Sequence, residues 1–277
     1  MRFSSFSLPG CFLLVVSSLS AQGVVIVENR GPVQGGETSA TKIHVEGDRL
    51  FIETQTDGKK HGILYLGDAK VLRMIDYSSN TYREMTQQDF ERMGDSMAQM
   101  RQMMEEKLKN MTPQQRQMVE QMMKQKMGAA MPGAGQTRPP VVYTKVAAGQ
   151  TVHQWTCDKY DGTRDGEKVW EVCAVDFAQF GVQPGDMRAF EGMAEMFKSM
   201  APQGMDDFFK VGFDEQHSQQ GFSGVPVQRV SFRNGAPDQK YEITEVTRQD
   251  IDDAVFEVPQ GFQKVEMPQM GRPGRGR

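Results

Sequence analysis

The chain has 277 residues, a formal net charge of −4 and a charged fraction of 25%. A chain of this length can bury a substantial core, so it needs neither a metal nor a dense disulfide framework to fold. The ordinary charge balance excludes a strong field for nucleic acid, and no nucleic-acid partner is expected. Methionine is the compositional outlier, with 21 residues against 2 Trp and 3 Cys.

Residues 1–21 have the pattern of a secretory signal peptide. Arg2 supplies the positive start, a short apolar run follows from Cys11, and small residues then offer a cleavage site after Ser20 or Ala21. The apolar run is much shorter than the ~20 residues that span a bilayer, so no transmembrane segment is predicted. Cys11 precedes the apolar run, whereas the cysteine of a lipoprotein signal follows it. We therefore expect an unanchored periplasmic or secreted protein.

From Gln22 to about Tyr82 the sequence predicts a run of antiparallel strands. They are placed at residues 23–28, 41–45, 50–54, 62–66, 71–77 and 81–84. Turn residues such as Gly47-Asp48 and Gly67-Asp68 separate them. Loops this short predict an antiparallel meander.

The apolar period changes to that of a helix at Thr86. Thr86 and Asp89 form a start similar to a capping box, with Asp in place of Glu or Gln, and the helix is predicted to end near residue 109. A second helix is predicted from Thr112, with Pro113 at its first position, to Gly128. Pro and Gly make residues 131–140 a flexible linker. A Met-rich helical insertion at about 86–130 thus interrupts a β domain.

Strands resume at residues 141–146 and continue through the chain's two remaining cysteines, Cys157 and Cys173. In an oxidising compartment such a pair indicates a disulfide. A three-residue loop at 164–166 would place the cysteines opposite each other, Tyr160 opposite Trp170, and Lys159 opposite Glu171. A two-residue Asp-Gly loop would place the cysteines on opposite faces. A metal pair or a redox-active dithiol fits less well, because there is no CxxC motif and no His beside either cysteine.

The last third of the chain combines a helix with further strands. The helix is predicted at about 185–200, with Phe190, Ala194 and Phe197 on one face. Strands at 226–232 and 241–247 flank the turn Asn234-Gly235, and a short helical turn follows at 250–254. Residues 269–277 are expected to be a disordered basic tail. A solvated tail is favoured over a patch that binds nucleic acid or lipid head groups. Any membrane contact of the protein is expected to be peripheral.

Several of these hairpins resemble an uncharacterised family of secreted bacterial proteins known as domain of unknown function 4412. The resemblance lies in residues 41–53, 71–77 with 82–85, and 241–247 with 256–265. That family is similar to the lipoprotein-carrier superfold. The resemblance implies an α+β fold in which helices cover the concave face of an antiparallel, incompletely closed β half-barrel. It implies a single domain at residues 22–268, and by analogy an apolar ligand.

Apolar residues recur at helical spacing along the insertion. The stripe on the first helix is formed by Met93, Met97, Met100, Met104, Leu108 and Met111, and Met103 widens it. Met193, Met196 and Met200 repeat the theme on the later helix, beside Phe190 and Phe197.

Three interpretations of the stripe remain open. It packs the helices as ordinary core; it is an adaptable surface for a lipid, an acyl chain or a protein segment; or its thioethers bind Cu(I). The copper set would be Met97, Met100, Met103 and Met104. An envelope protein that binds a partner without a small ligand is a further alternative.

No nucleophile–base pair, phosphate loop, paired carboxylates or zinc signature occurs with usable spacing. The sequence therefore predicts no enzyme and no cofactor. It favours a periplasmic binding or chaperone-like protein for an apolar ligand or an envelope protein.

Overall fold

The computed structural model describes residues 22–109, 112, 139–198, 221–222 and 224–267. The predicted signal peptide, nearly all of the second helix, most of the linker and the basic tail lie outside these ranges. The strands are β1 (Gly23–Pro32), β2 (Ser39–Glu46), β3 (Arg49–Thr56), β4 (Lys59–Leu66), β5 (Val71–Asp76), β6 (Thr81–Thr86), β7 (Val142–Val152), β8 (Trp155–Arg164), β9 (Glu167–Val175), β10 (Val225–Arg233), β11 (Ala236–Gln249) and β12 (Gln263–Lys264). The helices are α1 (Gln87–Lys109), α2 (Phe177–Phe180) and α3 (Arg188–Lys198), with 3-10 helices at Pro184–Met187 and Asp253–Phe256.

The twelve strands within the described residues form one open sheet in the order β12-β6-β5-β4-β3-β2-β1-β11-β10-β9-β8-β7. Neighbours are antiparallel, except that β12 runs parallel to β6. The meanders β1–β6 and β7–β11 are joined where β1 pairs with β11 over the whole length of β1. The sheet and its few helices confirm the predicted α+β class with a large, unclosed antiparallel sheet.

The face of β1–β6 that carries the largest core is built from one cross-strand row. Val24, Val45, Leu50, Tyr65, Leu72 and Met85 are successive partners across the six strands, and all are buried. Each residue of the row lies directly opposite the next one on the neighbouring strand, so the row is a continuous apolar band perpendicular to the strands.

Side chains from the helices belong to the same buried cluster as this row. The cluster, which we call the main core, consists of Val24, Ile26, Val45, Leu50, Tyr65, Leu72, Met85, Phe90, Val152, Trp155, Cys157, Cys173, Val175, Phe180, Val182, Met187, Ala189, Phe190, Met193, Met196, Val225, Val227 and Ile243. Phe90 comes from α1, and Phe190, Met193 and Met196 come from α3. Apolar area removed from water in this cluster is the main stabilising contribution.

The opposite face of β3–β5 carries a second cluster, formed by Phe51, Leu64, Ile75 and Phe256, which we call the back cluster. Phe51 alternates with Leu50 and Ile52 along β3, so the two clusters lie on opposite faces of that strand. Phe256 comes from the chain after β11. Residues near the C-terminus therefore cover part of the sheet.

Helix α1 begins at the predicted capping box. The Thr86 backbone N–H donates to Asp89 Oδ2 at 2.9 Å, and the Asp89 N–H donates to Thr86 Oγ1 at 3.3 Å. The hydrogen bonds from Thr86 lower the pKa of the Asp89 carboxyl, which keeps the cap charged. Later in the chain, the segment predicted as one helix starts instead as the 3-10 helix Pro184–Met187 and continues as α3.

The predicted register of the disulfide hairpin was wrong. The loop has two residues, Asp165 and Gly166, both with positive φ as a type I′ turn requires. A bulge then leaves Val169 without a register partner, because Thr163 pairs with Lys168 and Gly162 with Trp170. Trp170 thus faces Gly162 rather than Tyr160, and Lys159, rather than Cys157, is opposite Cys173.

The disulfide itself is present. The bulge returns the cysteines to the same face as diagonal neighbours, and Cys157 and Cys173 form a bond with their Cα atoms 5.5 Å apart. The predicted attraction between Lys159 and Glu171 is also present as a diagonal ion pair of 2.8 Å.

Candidate functional site

The candidate site lies where α1 and α3 meet beside the main core. Phe90 on α1 is fully buried, and its ring meets the ring of Phe197 on α3 edge to face, with centroids 4.9 Å apart. Aromatic pairs in this geometry contribute about 0.5–1.5 kcal/mol beyond their area burial. This contact, which we call the helix junction, fixes the start of α1 relative to α3.

Helix α3 approaches the sheet closely because it carries Gly192. A Cβ at this position would lie 2.5 Å from the Tyr65 hydroxyl oxygen. Tyr65 belongs to the cross-strand row, and its burial raises the pKa of its hydroxyl. The phenol therefore stays neutral and serves as packing rather than as a base.

The predicted ligand-binding residues occupy different environments. Met93 and Met97 on α1 are half-buried, and Met93 packs against the main core. Phe190 is buried, and Phe197 is half-buried against the same core. The structure thus brings Met93, Phe190 and Phe197 to one cluster. Three further residues of the predicted stripe, Met100, Met104 and Leu108, lie on α1 with side chains outside the described part, and Met111 also lies outside it.

The methionines of α3 are core residues. Met193 and Met196 are 6% and 5% exposed, and Met187 of the preceding 3-10 helix is 1% exposed. Sequence reasoning missed Met187 and the anchor Phe90. The signal for Phe90 was available, because it is the first large apolar residue after the capping box.

Two members of the predicted copper set have described environments. Met103 is 58% exposed, and Met97 is half-buried. Among the described residues, no group of three or more His, Cys, Asp or Glu side chains could hold a metal ion. His44 lies on β2 and His61 on β4, while His153 Nε2 is 3.6 Å from Glu242 Oε2 near the β7–β8 turn.

Two clefts lie away from the helix junction. One, of about 140 Å³, adjoins the disulfide and is lined by Gln150, Thr151, Val152, Lys159, Glu171, Cys173 and Gln228. The other, of about 320 Å³, lies near the β1–β2 loop and is lined by Arg30, Gly31, Pro32, Glu37, Thr38, Ser39, Thr56, Asp57 and Gln239. Neither lining includes a methionine of the predicted stripe.

The charged groups beside the disulfide neutralise one another. Lys168 lies 2.8 Å from Glu171 Oε2 and 2.6 Å from Asp161 Oδ1, and Lys159 pairs with the other oxygen of Glu171. Burial alone would raise the pKa of Glu171, but hydrogen bonds from both lysines outweigh burial and lower it. A carboxylate held charged in this way links neighbouring strands through ion pairs rather than transferring a proton.

In the described part of the chain, no helix is both long enough and apolar enough to cross a membrane.

No family model matches the chain, and no curated protein matches it. Among solved structures, the chain is similar to an uncharacterized conserved protein from Thermus thermophilus, with 10% sequence identity and a TM-score of 0.43. The similarity covers 90% of this chain and 92% of that one.

Proposed function

We propose that the protein is an exported binding or chaperone-like protein that holds an apolar ligand between its sheet and its Met-rich helices. The ligand would be a lipid, an acyl chain or a lipoprotein segment. The proposed scaffold is a half-barrel whose concave face is covered by the helices, as in the lipoprotein-carrier superfold that domain of unknown function 4412 resembles. The signal-like pattern of residues 1–21 and the disulfide both support an exported location.

One observation carries the proposal: the methionine face of α1 begins at the edge of the main core. Phe90 is fully buried, whereas Met93 packs against the main core and, like Met97 one turn further on, is only half-buried. Both methionines belong to the predicted stripe, so its first part combines contact with the interior and accessible surface. Such residues offer a ligand an apolar surface next to the core.

The proposal assigns the ligand to α1 rather than to α3. The methionines of α3 are already packed as core, so using them would require the main core to open. Met93 and Met97 keep part of their surface accessible. Unbranched, polarisable methionine side chains adapt to apolar partners of varied shape, which suits lipid or peptide ligands.

Displacement of an apolar dye by a fatty acid tests the proposal. We expect the purified protein to bind the dye and oleate to displace it. Replacing Met93 and Met97 with Gln should weaken oleate binding about tenfold, because each buried methylene contributes about 0.8 kcal/mol and the substitution puts a polar amide in its place. Absence of dye and oleate binding by the folded protein would refute the proposal.

Met103 supplies a matched control that also separates the ligand proposal from copper. Met103 belongs to the predicted copper set but not to the predicted ligand set, whereas Met93 belongs only to the ligand set. Met103→Gln should leave oleate binding unchanged. A loss of Cu(I) uptake in Met103→Gln, with no oleate binding by the parent protein, would favour the copper interpretation.

A further inference from the structure

The chain after β11 forms a strap that crosses the back of the sheet. The strap consists of residues 251–267 and places Phe256, 3% exposed, in the back cluster. Arg49 on β3 holds it in two ways. Its guanidinium lies 4.4 Å from the centre of the Phe256 ring and donates to Asp253 Oδ1 at 2.7 Å.

The second half of the strap is bound to β6 and its neighbours. The Phe262 ring meets Tyr77 edge to face at 5.4 Å. The Gln263 N–H donates to the Asn80 carbonyl at 3.0 Å, and the Val265 N–H donates to the Tyr82 carbonyl at 2.8 Å. These two bonds make β12 the partner of β6 at the edge of the sheet.

A chain of charges reinforces this attachment. Lys264 Nζ lies 2.6 Å from Glu84 Oε1, and Arg73 Nε donates to Glu84 Oε2 at 2.8 Å. Arg73 and Glu84 are also register partners in β5 and β6. Glu84 therefore links the strap to the two strands that lie at this end of the sheet.

The strap then continues around the edge of β6. Met267 packs against the main core, whereas Phe256 and Phe262 pack against the back cluster. The strap thus contacts both clusters and the edge between them. Strand β6 ends at Thr86, the capping residue of α1, and α1 begins at Gln87 without an intervening loop.

We propose that the strap is a detachable clasp that sets the position of β6 and, through β6, of the first turns of α1. Among the described residues, the backbone hydrogen bonds between the strap and the sheet are those of Gln263 and Val265 to β6 and the turn before it, and the other attachments are side-chain contacts. Opening the clasp therefore leaves the rest of the sheet paired and requires less free energy than global unfolding. Opening exposes the back cluster and the edge of β6 and loosens the start of α1. The inference goes beyond the proposed function and needs no ligand.

Hydrogen exchange followed by mass spectrometry on the whole protein tests the clasp. Replacing Phe262 with Ala and Lys264 with Gln should open the strap more often. We expect amide exchange to rise about tenfold in the strap, in residues 81–86 and in residues 87–97, as in a shared local opening. Exchange in residues 155–175 should not change, because these strands lie at the other end of the sheet.

Phe232→Ala is the matched control. Phe232 lies on β10 and contacts Lys168 rather than the strap, with 4.7 Å between the lysine nitrogen and the ring centre. This substitution should leave exchange in the strap, in residues 81–86 and in residues 87–97 unchanged. Faster exchange in the strap alone, with residues 81–97 unaffected in the double variant, would overturn the proposal.

Lys264→Gln alone is the control for a general loss of stability in the double variant. It removes a half-exposed charge contact and no apolar packing, so the fold should be retained. A smaller rise of exchange, confined to the strap and residues 81–97, would support the clasp. Equal acceleration in every strand, in this variant as in the double one, would show that the strap belongs to the global folding unit and would overturn it.

Discussion

At the scale of single residues, Gly192 decides how closely α3 lies on the sheet. Alanine would ordinarily stabilise a helix interior relative to glycine by about 1 kcal/mol. At this position, however, the added Cβ would lie 2.5 Å from the hydroxyl of Tyr65, which is itself 3% exposed and enclosed by its neighbours. Steric overlap should therefore outweigh helix propensity.

We predict that Gly192→Ala lowers the free energy of unfolding by about 1–3 kcal/mol, the usual cost of overpacking a core. Urea denaturation followed by circular dichroism would measure it. Gly185→Ala is the control, because a Cβ there meets nothing within 4 Å. A Gly192→Ala protein as stable as the parent would show that α3 can move away from Tyr65 without cost.

His44 is a buried base, and one of its two ring nitrogens lacks a hydrogen-bond partner among the described residues. It lies between Val25 and Phe51 in the sheet, is 9% exposed, and its Nδ1 has no hydrogen-bond partner among the described residues. Burial lowers the pKa of His44 below its usual 6.5; Lys42 and Lys60 act in the same direction, and Glu53 opposes them without compensating. The unfolded chain therefore binds a proton more readily than the folded one.

Linkage then predicts how stability depends on pH. The contribution of neutral His44 is complete above the unfolded pKa and is lost as the pH falls below about 6.5 toward the lower folded pKa. The urea midpoint of the parent protein should be lower at about pH 5.5 than at about pH 7.5. The drop should be smaller in His44→Leu. An equal drop of the midpoint in both proteins would exclude His44 as the cause of the pH dependence. Glu84, whose pKa is lowered by Lys264 and Arg73, titrates below this window.

At the scale of elements, the disulfide hairpin shows what sequence reasoning can and cannot supply. Composition predicted both strands and the cysteine pair, because β-branched runs around Asp-Gly carry a local signal. The register depends on the bulge at Val169, which compensates for the even loop length. A bulge has a weaker sequence signature than a turn, so the prediction assumed a regular ladder. Only a three-residue loop at 164–166 then keeps both cysteines on one face, whereas the structure combines a two-residue loop with a bulge.

Deleting Val169 should leave the cysteines bonded. Thr163 already pairs with Lys168 and Gly162 with Trp170, so removing the unpaired residue between them turns the bulge into a regular ladder and keeps Lys159 opposite Cys173. Cys157 then stays on the same face as Cys173, one diagonal step away. We expect mass spectrometry after alkylation to find no free thiols in the deletion protein. Free thiols in the folded deletion protein would contradict the bulge argument.

Short elements escaped prediction for a different reason. Strand β12 has two residues and α2 has four, too few for either to show a period. β12 exists because β6 offers it a partner, and α2 because Phe180 packs into the main core. By contrast, α1 was predicted correctly from its capping box and its apolar period. In the candidate site, the helical spacing of apolar residues also predicted Met93, Phe190 and Phe197, but it did not predict how deeply each side chain is buried.

At the scale of the whole molecule, the pairing of β1 with β11 makes one sheet from two meanders. Strands close in sequence were predicted to pair, since hairpins carry their own turn signals. The pairing of the first strand with a strand more than 200 residues later has no local signal and follows from the shared main core. Val24 and Ile26 of β1 lie in the same cluster as Val225 and Val227 of β10. Both meanders should therefore unfold together.

Leu64 and the two tryptophans allow a direct test of this cooperativity. Leu64 is fully buried in the back cluster on β4, whereas Trp155 and Trp170, the chain's only tryptophans, lie on β8 and β9. Leu64→Ala should cost about 2–5 kcal/mol through lost burial and a residual cavity. If the meanders form one folding unit, tryptophan fluorescence will report the same lowered urea midpoint as far-ultraviolet circular dichroism. A fluorescence midpoint unchanged from the parent protein would mean that β7–β11 folds independently of β1–β6, and that β1–β11 pairing joins two domains rather than completing one.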